Sequence, residues 1–184
     1  MELKDAARGA RENSFSVAYP IGALLFVGAC LALEHFDGGV VSHHLLNSAD
    51  MPAFSNWWGL LTLPLLGVLF ASRAGKIQSE SRILYAPSKM LMAFVGALIY
   101  GAMLSIAFTL DAESIRDILF FGLILISIIL PVYRIEYAFG FVVGMTYTFG
   151  GVLPVVFAIV FGALSFISRW IFMSAKSLIV GNKN

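Results

Sequence analysis

The chain has 184 residues, 59% hydrophobic and 12% charged, with a formal net charge of +1 and a mean hydropathy of +0.88. Soluble domains carry about 25% charged residues, so this supply is too small to clothe a globule, and the composition points to a polytopic membrane protein. The near-neutral balance argues against a nucleic-acid partner, which needs a dense basic patch. The single cysteine, Cys30, excludes an internal disulfide framework and a cysteine zinc site.

A membrane crossing needs about 20 apolar residues. It must be helical here, because lipid cannot satisfy backbone polar groups. The expectation is an all-α, polytopic transmembrane bundle of about six membrane segments, with both termini cytoplasmic. Residues 1–14 form a cytoplasmic N-terminal segment, 15–173 a single integral membrane domain, and 174–184 a cytoplasmic tail.

The first segment covers 15–33 and the second 57–72, with Pro20 and Pro64 inside them. Lys4, Arg8 and Arg11 ahead of a run ending Val27-Gly28-Ala29-Cys30 resemble a bacterial lipoprotein signal, cleaved before a lipidated cysteine. Asp5 and Glu12 dilute the basic region and Pro20 interrupts the apolar run, so a retained first helix is the preferred reading. The outer loop 34–56 holds His35, His43, His44 and three acids but no Lys or Arg. Imidazole and carboxylate ligands suit a transition metal. The spacing fits no metal motif, since the adjacent His43 and His44 point apart on a helix or strand. A solvated polar loop is the preferred reading, and no cofactor is expected.

The inner loop 73–88 carries Arg73, Lys76 and Arg82, followed by a third segment at 89–110 and a fourth at 118–133. Arg134 and Glu136 then stand at the predicted inner boundary. They form either a tight turn anchored by Arg134 or a polar pair at the mouth of a substrate path. From Glu136 to Arg169 there is no charged residue between. Cytoplasmic loops collect Lys and Arg. Two passes through this stretch put eleven of the twelve bases inside, and one pass puts eight there. The predicted pair is 137–149 and 152–168, broken at Gly150-Gly151 with Pro154 following, as a full hairpin or a re-entrant segment.

Three further features of this region bear on function. Gly140 and Gly144 form a G-x-x-x-G, and Gly96 and Gly101 a similar smooth strip; both fit close helix packing, within the chain or against a partner. Thr146, Tyr147 and Thr148 precede the break at Gly150, Gly151 and Pro154, the arrangement by which transporters coordinate solutes. The plainer reading of these threonines is back-bonding to their own helix. No nucleophile elbow, P-loop or dinucleotide fingerprint is present.

A non-catalytic inner-membrane subunit of a larger assembly is the leading expectation, with secretion, conjugation or transport machinery as the setting. It would touch lipid and either other membrane subunits or copies of itself. A small homo-oligomeric transporter or channel near Gly150-Gly151 is the alternative, and a metal-binding protein or enzyme using the histidine loop comes third. A bacterial inner membrane is the expected location.

Overall fold

A computed structural model describes residues 2–44, 50, 52–80 and 85–181, with side chains over 17–43, 50, 52–77 and 89–177. The architecture is all-α. Among the described residues six helices follow one another: α1 (Glu2–Phe36), α2 (Gly59–Glu80), α3 (Tyr85–Thr109), α4 (Glu113–Ile129), α5 (Ile135–Phe149) and α6 (Leu153–Gly181). A small antiparallel hairpin, β1 (Ser42–His44) with β2 (Ala53–Ser55), pairs His43 with Phe54 and leads through a 3₁₀ turn, Asn56–Trp58, into α2.

Among the described residues four stretches are long and apolar enough to cross a membrane: Val17–Phe36, Asn56–Ile77, Lys89–Thr109 and Leu153–Ser177. The shorter helices α4 and α5 have 17 and 15 residues, about 25 and 22 Å at 1.5 Å per residue. The hydrocarbon core is about 30 Å thick. Large apolar side chains face outward along the bundle, Leu25, Leu65, Ile118, Phe121 and Phe172 among them.

Helical structure runs beyond the hydropathy boundaries. Residues expected in the loop 73–88 are helical up to Glu80 and again from Tyr85, and α4 starts at Glu113 inside a predicted loop. Hydropathy reports which residues suit hydrocarbon, while backbone hydrogen bonding continues into water wherever no breaker intervenes. Breakers do mark three ends. Leu130 is extended (φ −98°, ψ 152°), as the residue before Pro131 must be. Gly150, at φ +67° and ψ −171°, stops α5 in a region open in practice to glycine alone. Pro154 sits in the first turn of α6, where its missing N–H costs nothing.

Helix α5 lies at the centre. Its Phe139 and Val142 join Val27, Leu31, Leu63 and Phe70 in one core cluster. Its Phe141 and Met145 join Leu104, Leu123 and Phe161 in the second. The rings of Phe70, Phe94 and Phe139 meet at centroid distances of 5.2–5.5 Å. Helix α2 lies close on α1, since a Cβ added at Gly67 would come within 2.8 Å of Pro20 Cα. Helix α3 is the main partner of α5. Ser165 of α6 ties down the turn after α4: its hydroxyl donates to Leu130 O (2.6 Å) and accepts from Val132 N (3.1 Å).

Candidate functional site

Buried polar residues stand toward both ends of α5, Glu136 at one and Asn56, Ser105 and Thr146 at the other. At its N-terminal end Glu136 is buried, with 1% of its surface exposed. Arg134 Nε lies 2.9 Å from Glu136 Oε1, and Arg73 Nε lies 3.1 Å from Oε2. The second contact is an ion pair without an aligned hydrogen bond, because neither Arg73 Nε nor Oε2 has a hydrogen-bond partner. Both guanidinium side chains keep more than a third of their surface exposed. The carboxylate occupies the first turn of α5, where the helix dipole favours negative charge. Thirteen helical steps lead from Glu136 to Phe149, about 20 Å. Of the residues expected at the inner boundary, Arg134 and Glu136 are therefore brought together.

Arg73 is the member that sequence reasoning left in a loop. A usable signal was present, because Arg73 falls within the apolar stretch Asn56–Ile77, and charges in such a stretch mark a site by default.

At the other end of α5 the chain closes over the glycine break. Asn56, 4% exposed, donates from Nδ2 to Glu34 Oε1 at 2.6 Å, and Glu34 Oε2 accepts from Val41 N at 3.1 Å. The other side of the Asn56 amide fills the space over Gly150, whose added Cβ would stand 1.8 Å from Asn56 Oδ1. Gly151 lies against Gly59, with an added Cβ 2.6 Å from Gly59 Cα, and Thr62 Oγ1 donates to Gly151 O at 3.3 Å. Glu34, Asn56, Gly59 and Thr62 are thus partners of the break that the sequence pattern did not link to it. Replacing Asn56 by alanine should cost about 1–2 kcal/mol, because it leaves a Glu34 oxygen without its donor. Chemical denaturation in mild detergent measures this, and a loss below about 0.5 kcal/mol would mean that Glu34 is equally well satisfied without Asn56.

The hydroxyls before the break are engaged within the bundle. Thr146, 1% exposed, donates to Val142 O at 2.7 Å. Thr148 bonds the hydroxyl of Ser105 and lies 3.3 Å from that of Thr109. Tyr147 points outward and Pro154 is buried.

The glycine strips separate by position. A Cβ at Gly140 would fall 2.2 Å from Phe94 O, one at Gly144 2.4 Å from Leu98 O, and one at Gly101 2.6 Å from Phe141 O. These three interlock α3 with α5 of the same chain, which occupies that face. Gly96 has nothing within 4 Å of an added Cβ.

His35 and His43 have separate aromatic neighbours. His35 stacks edge-on against Phe36, and the His43 ring lies 6.3 Å from that of Phe149. The side chain of His44 lies outside the described residues. Among the described residues no three His, Cys, Asp or Glu groups are placed to hold a metal.

Burial pushes the His43 imidazole below its ordinary 6.5, with Glu34 pulling weakly the other way. The folded state therefore favours the neutral ring. Its contribution to stability is full above about pH 6.5 and is lost as the pH falls through the lower folded value. Between about pH 8 and about pH 5 the wild type should lose more thermal stability than His43→Phe. Equal losses would show that His43 is not the titrating group.

No protein-family model, curated protein or solved structure matches this chain.

Proposed function

We propose that the chain is a non-catalytic integral membrane protein that serves as a small subunit of a larger membrane assembly, in a bacterial inner membrane with both termini on the cytoplasmic side. The observation that carries this reading is the use of the bundle's polar groups. Thr146, Thr148, Asn56 and Thr62, around the glycine break, are bonded to other parts of the same chain. Thr148, Asn56 and Thr62 join separate segments and Thr146 bonds back to its own helix, which leaves little to coordinate a passing solute. The wide apolar outer surface supplies faces for lipid and for neighbouring subunits.

The test is extraction in mild detergent from the natural host, followed by mass determination of the intact complex. Other polypeptides should emerge with the chain in fixed ratio. A chain emerging alone as a closed homo-oligomer would overturn the subunit reading. It would favour the second one, a small transporter or channel. The observation on that side is the Arg73–Glu136–Arg134 cluster, since charges at membrane depth line solute and proton paths. Flux through vesicles holding the purified chain tests it directly.

A further inference from the structure

Two polar layers bracket the bundle, and they lie close together. At one, Gly59 and Gly151 touch, Asn56 bonds Glu34 at 2.6 Å, and Trp57 and Trp58 are each 56% exposed, as aromatic side chains at a membrane interface are. At the other, Glu136 holds Arg134 and Arg73. Two helices measure the gap independently. Fourteen helical steps lead from Gly59 to Arg73 along α2, about 21 Å, and thirteen lead from Glu136 to Phe149 along α5, about 20 Å. Tilt only shortens both. The layers are therefore about 9 Å closer than the two faces of a hydrocarbon core of about 30 Å.

An arginine in such a position normally reaches the headgroups with its long side chain. That route is closed here. Arg134 Nε is held 2.9 Å from one Glu136 oxygen and Arg73 Nε 3.1 Å from the other. Glu136 itself, 1% exposed, is fixed in the first turn of α5. Yet the side chains of Arg134 and Arg73 keep 38% and 39% of their surface exposed. A guanidinium exposed at membrane depth that cannot reach out is met by water or by a thinner bilayer. Helices α3 and α6 do not share the shortfall. Met90 to Thr109 of α3 carries no charge over nineteen steps, about 28 Å. The apolar surface of α6 continues past Arg169 through exposed Ile171, Phe172 and Met173. The mismatch belongs to α2, α5 and the turn at 130–134.

We propose that the bilayer is locally thinned beside this cluster: the headgroups and water of the leaflet on the side of Arg73 dip by about 9 Å to meet the two guanidinium groups. The partner is the lipid surface itself, and the pinned arginines fix where it is drawn in. The dip stands independently of the subunit reading, because it follows from the chain's own helices.

The test uses the full chain in phospholipid vesicles, with Cys30→Ala removing the native thiol and one new cysteine introduced at a time. Ser72, exposed beside Arg73, lies thirteen steps from Gly59, about 20 Å. A flat bilayer covers it and a dipped one leaves it wet. Leu69 and Val95 are exposed apolar residues that stay in hydrocarbon either way. A membrane-impermeant methanethiosulfonate, in cationic and in anionic form, is added to both faces. It reacts with thiolate, which a low dielectric suppresses by at least about one pKa unit. Ser72→Cys should therefore label at least about tenfold faster than Leu69→Cys and Val95→Cys with either reagent. Arg73→Leu, Arg134→Leu and Glu136→Leu together remove the cause and should slow labelling at Ser72→Cys about tenfold. Equal rates at the three cysteines would overturn the proposal, as would a rapid Ser72→Cys rate unchanged by the triple leucine variant. Labelling by the anionic reagent alone would also overturn it, since that marks an anion site and not open water. Should the leucine variant fail to insert, the three cysteines and two reagents decide alone.

Discussion

Gly140→Leu should leave little folded protein in the membrane. The added Cβ would lie 2.2 Å from Phe94 O, 3.0 Å from Phe94 C and 3.1 Å from Leu98 N. All three atoms are backbone, so no side chain can swing aside and α3 must part from α5. Overpacking a core usually costs about 1–3 kcal/mol, and more where the backbone has to move. Here the loss should be at least about 3 kcal/mol, because the displaced contact joins the two helices that carry both core clusters. Gly96→Leu is the internal control, the same substitution in α3 where an added Cβ meets open space. Denaturant titration of both variants in mild detergent checks the contrast. If Gly140→Leu unfolded alongside Gly96→Leu, the close α3–α5 approach would be wrong.

Glu136→Ala should be the second large loss. It removes the one acid between two guanidinium groups whose Nε atoms lie 2.9 and 3.1 Å from its oxygens. Breaking a fully buried pair costs about 3–5 kcal/mol. The arginines are partly exposed and screened by solvent, so about 2–3 kcal/mol is expected. Arg73→Ala and Arg134→Ala should each cost less, because Glu136 keeps one partner. Removing both should cost more than the two losses added together, since the carboxylate is then buried unpaired. Glu136→Gln keeps the volume and should fall between wild type and Glu136→Ala. A Glu136→Ala variant as stable as wild type would show that the cluster does not hold α2 to α5.

Comparing the two glycine positions shows where sequence reading stops. Gly96 and Gly101 are both on α3 and look alike in sequence, yet an added Cβ meets open space at the first and Phe141 O at the second. A soluble helix betrays its packed face by polar residues on the opposite one. A helix in hydrocarbon has apolar residues all round, because lipid and protein neighbours are equally apolar. Gly140 and Gly144 were legible as a close-packing pair for a different reason: only the loss of Cβ permits such an approach. Their partner, α3 of the same chain, was not legible.

The same limit applies at the polar ends of α5. Arg134 and Glu136 were legible because two charges between apolar runs stand out, and their pairing is local. Arg73 reaches Glu136 only because α2 packs against α5. Asn56 fills the space over Gly150 only because the hairpin returns the chain to that spot.

The sequence by itself determined the all-α character, stretches that suit a membrane and the break at Gly150-Gly151, while the fourth segment, expected over 118–133, ends at Ile129 before Pro131. Those features rest on hydropathy and on the dihedral limits of single residues, which act locally. The tertiary structure alone decided that α5 is central, that Glu136 has two arginine partners, and that the hydroxyls near the break are bonded within the bundle. Each of these depends on which helix faces meet, and in a chain this apolar the choice of face is made by shape and by a few charges brought together from distant segments.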